Sequence, residues 1–131
     1  MHISLRLGDV RAEVDTVAAR IRELAVDGVD LVEPAFGDGM PPMCSGIVLA
    51  PWPNRVADGR WVLDGEPQRL DITEPELGNA LHGLLEFTDY QVIGQAGSHG
   101  RAFAAYIAPQ HGWLFALDTA VRYELRPDGV A

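Results

Sequence analysis

The chain has 131 residues, 47% of them hydrophobic and 22% charged, a balance that fits one folded domain with a real core and leaves no room for two. Its formal net charge is −9, and neither half is basic: residues 1–60 carry nine acids against six arginines, residues 61–131 ten against four. Nucleic acid and anionic membranes are poor partners for such a surface, whereas a neutral small molecule is compatible with it.

All ten basic residues are arginines. That excludes lysine Schiff-base chemistry, a pyridoxal phosphate anchor and the P-loop. At the start of the chain, Met1–Asp9 shows neither a long apolar stretch nor a small-residue cleavage pattern, so no secretory leader is expected. No apolar run anywhere reaches the length of a membrane span. Next, the apolar residues at 14, 17, 18, 21, 24 and 25 follow a helical period. The Asp27-Gly28 pair that follows opposes this, because Asp-Gly between strand-like flanks is a strong hairpin signal. Ile21–Val26 is therefore expected to be extended. Glycine and proline then cluster over Pro34–Pro53, which predicts a long ordered loop, and Cys44 within it is the only cysteine. No intramolecular disulfide and no zinc-cysteine cluster can form, which fits a cytoplasmic protein.

A second hairpin is predicted at Asp64-Gly65, between Trp61-Val62-Leu63 and Glu66–Leu70. Gly94–Gly100 reads as a flexible hairpin tip. Leu117–Leu125 alternates as a half-buried strand, and Pro127-Asp128-Gly129 adds a turn after it. Many short strands separated by turns predict an all-β antiparallel sandwich. The last turn has almost no chain beyond it to pair with. The expectation is a single unit, residues 1–131, that is part of a larger domain, with Leu117–Leu125 at an edge and Val121 and Tyr123 less buried than their alternation implies. Open edges of this kind favour self-association.

The candidate chemistry is concentrated between Leu49 and Gly83. Pro51, Trp52 and Pro53 lead into Asn54-Arg55, and two prolines with a large flat ring can hold an arginine side chain still. His82 lies in Asn79-Ala80-Leu81-His82-Gly83. Each has a plainer competitor: most arginines are surface or ion-pair residues, and a loop histidine often caps local backbone. Residues held in turns on a rigid scaffold nonetheless carry function disproportionately often. His99 reads as solvent-exposed and His111 as a turn residue. A zinc site from His82, His99 and His111 has no recognised spacing, and no metal is expected. Glu74 and Glu76, flanking Pro75, could pair as glycosidase carboxylates, but read more simply as a solvated loop. Ser4, Ser45 and Ser98 sit in no nucleophile-elbow pattern. Pro41–Cys44 reads as an apolar loop that packs, with nothing to activate the thiol.

Pro51–Arg60, Asp64-Gly65, Glu74-Pro75 and Gly78-Asn79-Ala80-Leu81-His82-Gly83 together resemble the N-terminal half of the aldose 1-epimerases, the galactose mutarotase family. The likeness extends over Pro109–Leu125 and, more loosely, over Val29–Gly46. It implies a β-supersandwich of two large antiparallel sheets. It also implies interconversion of the α and β anomers of a free aldohexose by acid–base ring opening, without a cofactor. By the same resemblance Asn54 and Arg55 hold sugar hydroxyls and His82 hydrogen-bonds the substrate. The family's acid is a histidine in a His-Pro segment and its base a late glutamate. No His-Pro pair occurs here, Glu124 comes too early, and His111 and Leu114 stand where turn-formers are expected. The chain is thus expected to supply sugar-binding residues while lacking activity alone. A non-catalytic carbohydrate-binding protein or a fragment without independent activity are the alternatives.

Overall fold

The computed structural model describes all residues from 1 to 131 except Ala35, Phe36, Asp38 and Met40, so part of the expected Pro34–Pro53 loop lies outside the described residues. Two four-stranded antiparallel sheets carry the core. The first is β1 (His2–Leu7), β2 (Val10–Asp15), β3 (Ile21–Val26) and β4 (Val29–Asp30), in that order. The second runs β12 (Gly129–Val130), β11 (Leu117–Arg126), β10 (Gly100–Ile107) and β9 (Gln91–Ala96). Between them in sequence lie two small ribbons. One pairs β5 (Arg55–Ala57) with β8 (Asn79–Leu81), the other β6 (Arg60–Leu63) with β7 (Glu66–Arg69). The all-β antiparallel expectation therefore holds, but the candidate site residues sit on the small ribbons rather than on either large sheet.

Alternation dictates the core. Leu5, Val10, Ala12, Val14 and Leu24 point inward from the first sheet and meet Phe103, Ile107 and Leu125 from the second, with Leu85 and Tyr90 between them. Phe103 is fully buried and meets Tyr123 edge-to-face at 6.1 Å.

The hairpins form as their dipeptides demand. Asp27 and Gly28 take φ +52° and +77°, Asp64 and Gly65 +49° and +85°, positive values at both central positions. They join β3 to β4 and β6 to β7. The helical period over residues 14–25 is overridden by a turn after β2 in which Ala18 and Ala19 are both left-handed, at φ +56° and +47°. Left-handed alanine is unfavourable, and tertiary bonds hold it here. Ala18 N–H donates to the Thr88 carbonyl, Val48 N–H donates to the Ala18 carbonyl, and the Tyr123 hydroxyl donates to the Ala19 carbonyl. Burial pushes that hydroxyl's pKa up to about 12.

A buried ionic group closes the same corner. Arg20 and Arg22 flank Asp15, with N···O distances of 3.5 and 3.3 Å, and reach on to the Gly39 and Gly37 carbonyls. Burial opposes ionisation of Asp15. The Val17 N–H, the terminal ammonium, His2 and Arg22 outweigh it, holding the carboxyl below its ordinary range.

Three expectations are corrected. The Gly94–Gly100 tip is tied down, since Arg6 N–H donates to the Ser98 carbonyl and Leu125 N–H to the His99 carbonyl; His99 is accordingly half-buried. The turn at Pro127–Gly129 does return to a partner, because β12 pairs with Leu125 and Arg126. Before that point β11 pairs only with β10, and Val121 and Tyr123 are half-buried. The Pro41–Cys44 loop does not pack as a whole: Pro41 is buried, but Met43 is 94% exposed.

Because Phe103 links the two sheets, Phe103→Ala is expected to cost about 3–5 kcal/mol. Urea denaturation of the purified chain measures this, and a loss below 1 kcal/mol would mean that Phe103 does not fill the inter-sheet core.

Candidate functional site

The register of β5 against β8 builds the site. Arg55 stands opposite Leu81, Val56 opposite Ala80 and Ala57 opposite Asn79, so the next residues outward, Asn54 and His82, face each other at the ribbon's end. They close on each other reciprocally. His82 N–H donates to the Asn54 carbonyl, and Asn54 N–H donates to His82 Nδ1, both at 3.0 Å. Both residues are left-handed, with φ +61° and +59°, a region where asparagine and histidine are among the better-tolerated side chains. The plainer reading of His82, a cap on backbone, is thus realised by one of its ring nitrogens. The consequence is chemical: an Nδ1 that accepts a hydrogen bond carries no proton in the neutral ring, so Nε2 carries the N–H and is a donor.

Gly83 is required next to it. The glycine has φ +85° and lies against the Ala50–Pro51 peptide; an added Cβ would collide with the Ala50 carbonyl. Leu84 N–H donates to that carbonyl at 2.8 Å. The Leu-His-Gly segment is thereby seated on the chain leading into Trp52.

Arg55 is held by the carboxylate of Glu74, whose sequence context predicts only a solvated loop. Its Nε donates to Glu74 Oε2 at 2.8 Å and Nη2 donates to Oε1 at 2.7 Å, a bidentate fork. Asn79 Nδ2 donates to Glu74 Oε2 at 2.8 Å. Arg55 remains about half exposed while the Glu74 side chain is 15% exposed. The fork fixes the guanidinium plane and leaves Nη1 for another acceptor. Hydrogen bonds from Arg55 first, then Asn79, lower the Glu74 pKa from 4.5 to about 2. Glu76 is exposed, so the two glutamates do not act as a pair. The available signal was Glu74's position five residues before Asn79, across a turn containing Pro75 and Gly78.

A cleft of about 280 Å³ opens beside the ribbon, bordered by Trp52, Thr73, Gly83, Glu86 and His111 among others. Asn54, Arg55 and His82 stand next to it rather than along its wall; Thr73 Oγ1, on the wall, accepts from Leu81 N–H at 2.8 Å. Behind Trp52 an aromatic stack continues through Trp113 to Trp61 and Phe115, with centroids 5.3–6.3 Å apart. Trp61 Nε1 donates to the Gly112 carbonyl. His111 lies in the expected turn, bridged by Gln110 and Trp113. Cys44 Sγ donates to Glu86 Oε1 at 3.5 Å, and its pKa is raised by burial first and by Glu86, which leaves the thiol protonated and unreactive. Among the described residues no cluster of side chains has the makings of a metal site, and no helix is long and apolar enough to cross a membrane.

The family model for aldose 1-epimerase matches residues 1–131. The chain belongs to the aldose 1-epimerase family. It is similar to the uncharacterized protein YihR of Escherichia coli (strain K12), at 37% identity over 123 residues, covering 94% of this chain and 40% of that protein. Among solved structures it resembles a galactose mutarotase-like protein from Clostridium acetobutylicum (TM-score 0.78, 21% identity, 97% of this chain and 42% of that one). It also resembles galactose 1-epimerase from Lactobacillus acidophilus NCFM (TM-score 0.77, 16% identity, 95% of this chain and 40% of that one). At these identities the structural likeness establishes the fold. The chain spans about two fifths of the length of these relatives.

Two outcomes test the site's construction. The bonds to Glu74 stabilise its ionised form, so their contribution is fully present above pH 4.5 and is lost as pH falls through about 2. A carboxyl carbon titration followed by NMR should give a Glu74 midpoint near 2, moving towards 4.5 in Arg55→Ala. A wild-type midpoint near 4.5 would show that the fork does not form. Separately, Gly83→Ala should destabilise by about 1–3 kcal/mol in urea and displace the His82 ring resonances. Unchanged stability and spectrum would mean that the Ala50 contact is absent.

Proposed function

We propose that this chain supplies the sugar-recognising surface of an aldose 1-epimerase-type isomerase, with a free aldohexose as the ligand and Asn54, Arg55 and His82 as its direct contacts. The observation that carries the reading is the reciprocal Asn54–His82 closure, which turns the imidazole into an oriented Nε2–H donor one register step from a guanidinium whose Nη1 is unused. A pyranose presents several hydroxyls, each both donor and acceptor, at fixed angles around one ring. Two rigid donors and an exposed asparagine side chain meet that requirement without a metal or cofactor. In this reading residues 1–131 act as one cytoplasmic unit.

The associated reaction is anomer exchange. A base takes the proton of the anomeric hydroxyl as the C1–O5 bond breaks, an acid protonates O5, the aldehyde end rotates, and the ring recloses on either face. Arg55 and His82 orient the sugar for this step. A His-Pro acid and a late glutamate base of the kind the family resemblance implies are not among these residues, and positioned acid–base groups contribute about 10²–10⁴-fold. The 131-residue chain by itself is therefore expected to bind D-galactose or D-glucose while leaving mutarotation nearly uncatalysed.

Polarimetry on freshly dissolved α-D-glucose tests the second half of that statement, and chemical-shift titration with either sugar tests the first. Binding should weaken about 10-fold or more in Arg55→Ala, which removes a charge-assisted contact. Sugar binding that survives both Arg55→Ala and His82→Ala unchanged would overturn the assignment. The open edge at β9, where Val92 and Ile93 are exposed, supports self-association as part of the same proposal. Size-exclusion chromatography across a concentration series should show a dimer or larger species, and a monomer throughout would remove that element.

A further inference from the structure

His111 was an unremarkable turn residue by its sequence, yet the fold carries it to the rim of the cleft and gives it a partner 40 residues away. Its Nδ1 lies 2.7 Å from Asp71 Oδ1, and both residues border the cleft. An ionised carboxylate has no proton to give, so Nδ1 is the donor in this contact. The neutral ring then carries its proton on Nδ1, and Nε2 presents a lone pair. This is the opposite of His82, whose Nδ1 accepts from the Asn54 N–H and whose Nε2 donates.

The position is imposed by backbone contact. Gly112, next in sequence, has φ +72°, and an added Cβ there would collide with the Arg69 carbonyl, just before Leu70 and Asp71. Trp61 Nε1 donates to the Gly112 carbonyl at 3.0 Å. The turn bearing His111 is thus pressed against the segment bearing Asp71, and this backbone contact brings together at the cleft rim two side chains that are themselves exposed, 71% for His111 and 74% for Asp71. The same cleft contains the apolar side chains of Trp52 and Leu84, together with the hydroxyl of Thr73 and the carboxylate of Glu86. A ring with an apolar C–H face and a hydroxyl rim matches that mixture of surfaces.

We propose that the cleft is a second sugar-contacting surface of this chain, in which His111, oriented by Asp71, accepts a hydrogen bond from a hydroxyl of the aldohexose through Nε2. The inference rests on the sugar reading above and deepens it: His82 supplies a donor to the ligand and His111 an acceptor. A ligand whose hydroxyl at that place is replaced by hydrogen loses the contact.

The test uses the full 131-residue chain, labelled with ¹⁵N, and D-galactose and D-glucose as probes. Long-range ¹H–¹⁵N spectra at neutral pH should show His111 protonated on Nδ1 and His82 protonated on Nε2. Addition of at least one of the two sugars should shift His111 Nε2. His111→Ala should weaken that binding about 3–10-fold, the range of one neutral hydrogen bond. His111→Gln, which retains an acceptor near the Nε2 position, should recover part of it, and Asp71→Ala should abolish the Nδ1–H preference of His111. Sugar-induced shifts at Arg55 and His82 with none at His111 would overturn this inference and leave the proposed function standing. Shifts at His111 with none at Arg55 or His82 would support it and overturn the earlier assignment. No shift at any of the three, or His111 protonated on Nε2, would overturn it as well.

Discussion

The candidate site depends on one register, that of β5 against β8. With Arg55 opposite Leu81, the two polar motifs end at the same level, and Asn54 and His82 can exchange hydrogen bonds. A slip of one residue would turn every side chain of one strand to the other face. Asn54 would then lose the imidazole, and Arg55 would turn away from Glu74. The ribbon has only three residues on each strand, so its own ladder is a weak guarantee of register. The guarantee comes from outside: Thr73 Oγ1 accepts from Leu81 N–H, Glu74 and Asn79 exchange backbone bonds, and Gly83 packs on the Ala50–Pro51 peptide.

Charge is used in two different ways. Asp15 with Arg20 and Arg22 is buried, and burial opposes ionisation there; several donors are needed to keep the carboxylate charged. Such a group locates the turn at Ala18-Ala19 and the loop carbonyls of Gly37 and Gly39 more than it adds net stability. Arg55 and Glu74 lie nearer to water, and the fork between them acts on geometry. It occupies one edge of the guanidinium and leaves the other presented at the ribbon's end. The first cluster organises a corner of the sandwich; the second fixes the exposed end of the β5–β8 ribbon, the surface proposed to meet a sugar.

Glycines do comparable work in the loops around the small ribbons. Gly59, Gly83 and Gly112 each bring backbone within a distance that a Cβ would forbid, against the Leu70, Ala50 and Arg69 carbonyls respectively. The backbones of the turns carrying Asp58, His82 and His111 therefore lie against neighbouring segments, while Asp58 and His111 themselves stay exposed. Two of these turns, those of Gly83 and Gly112, bring residues to the cleft beside Trp52, namely Gly83 itself and His111.

Local chemistry was legible in the sequence because it is short-range. Asp27-Gly28 and Asp64-Gly65 announce turns with positive φ, alternation over Leu117–Leu125 announces a strand, and the Asn-Arg and Leu-His-Gly motifs carry the family likeness. What could not be read is everything set by contacts between distant segments. The Asp27-Gly28 signal already outweighs the helical period around Val14–Ala25 and gives Ile21–Val26 as a strand; what is not legible is the left-handed Ala18-Ala19 turn before it, held by bonds with Thr88, Val48 and Tyr123. Glu74 looked like half of a solvated acidic pair until the β5–β8 register placed Arg55 across from it. By sequence His99 reads as solvent-exposed and His111 as a turn residue. The fold half-buries His99 in the turn between β9 and β10 and sets His111 against Asp71 at the cleft. Residue type determines what a side chain can donate or accept; the tertiary structure determines which of those capacities is already used, and so which one remains for a ligand.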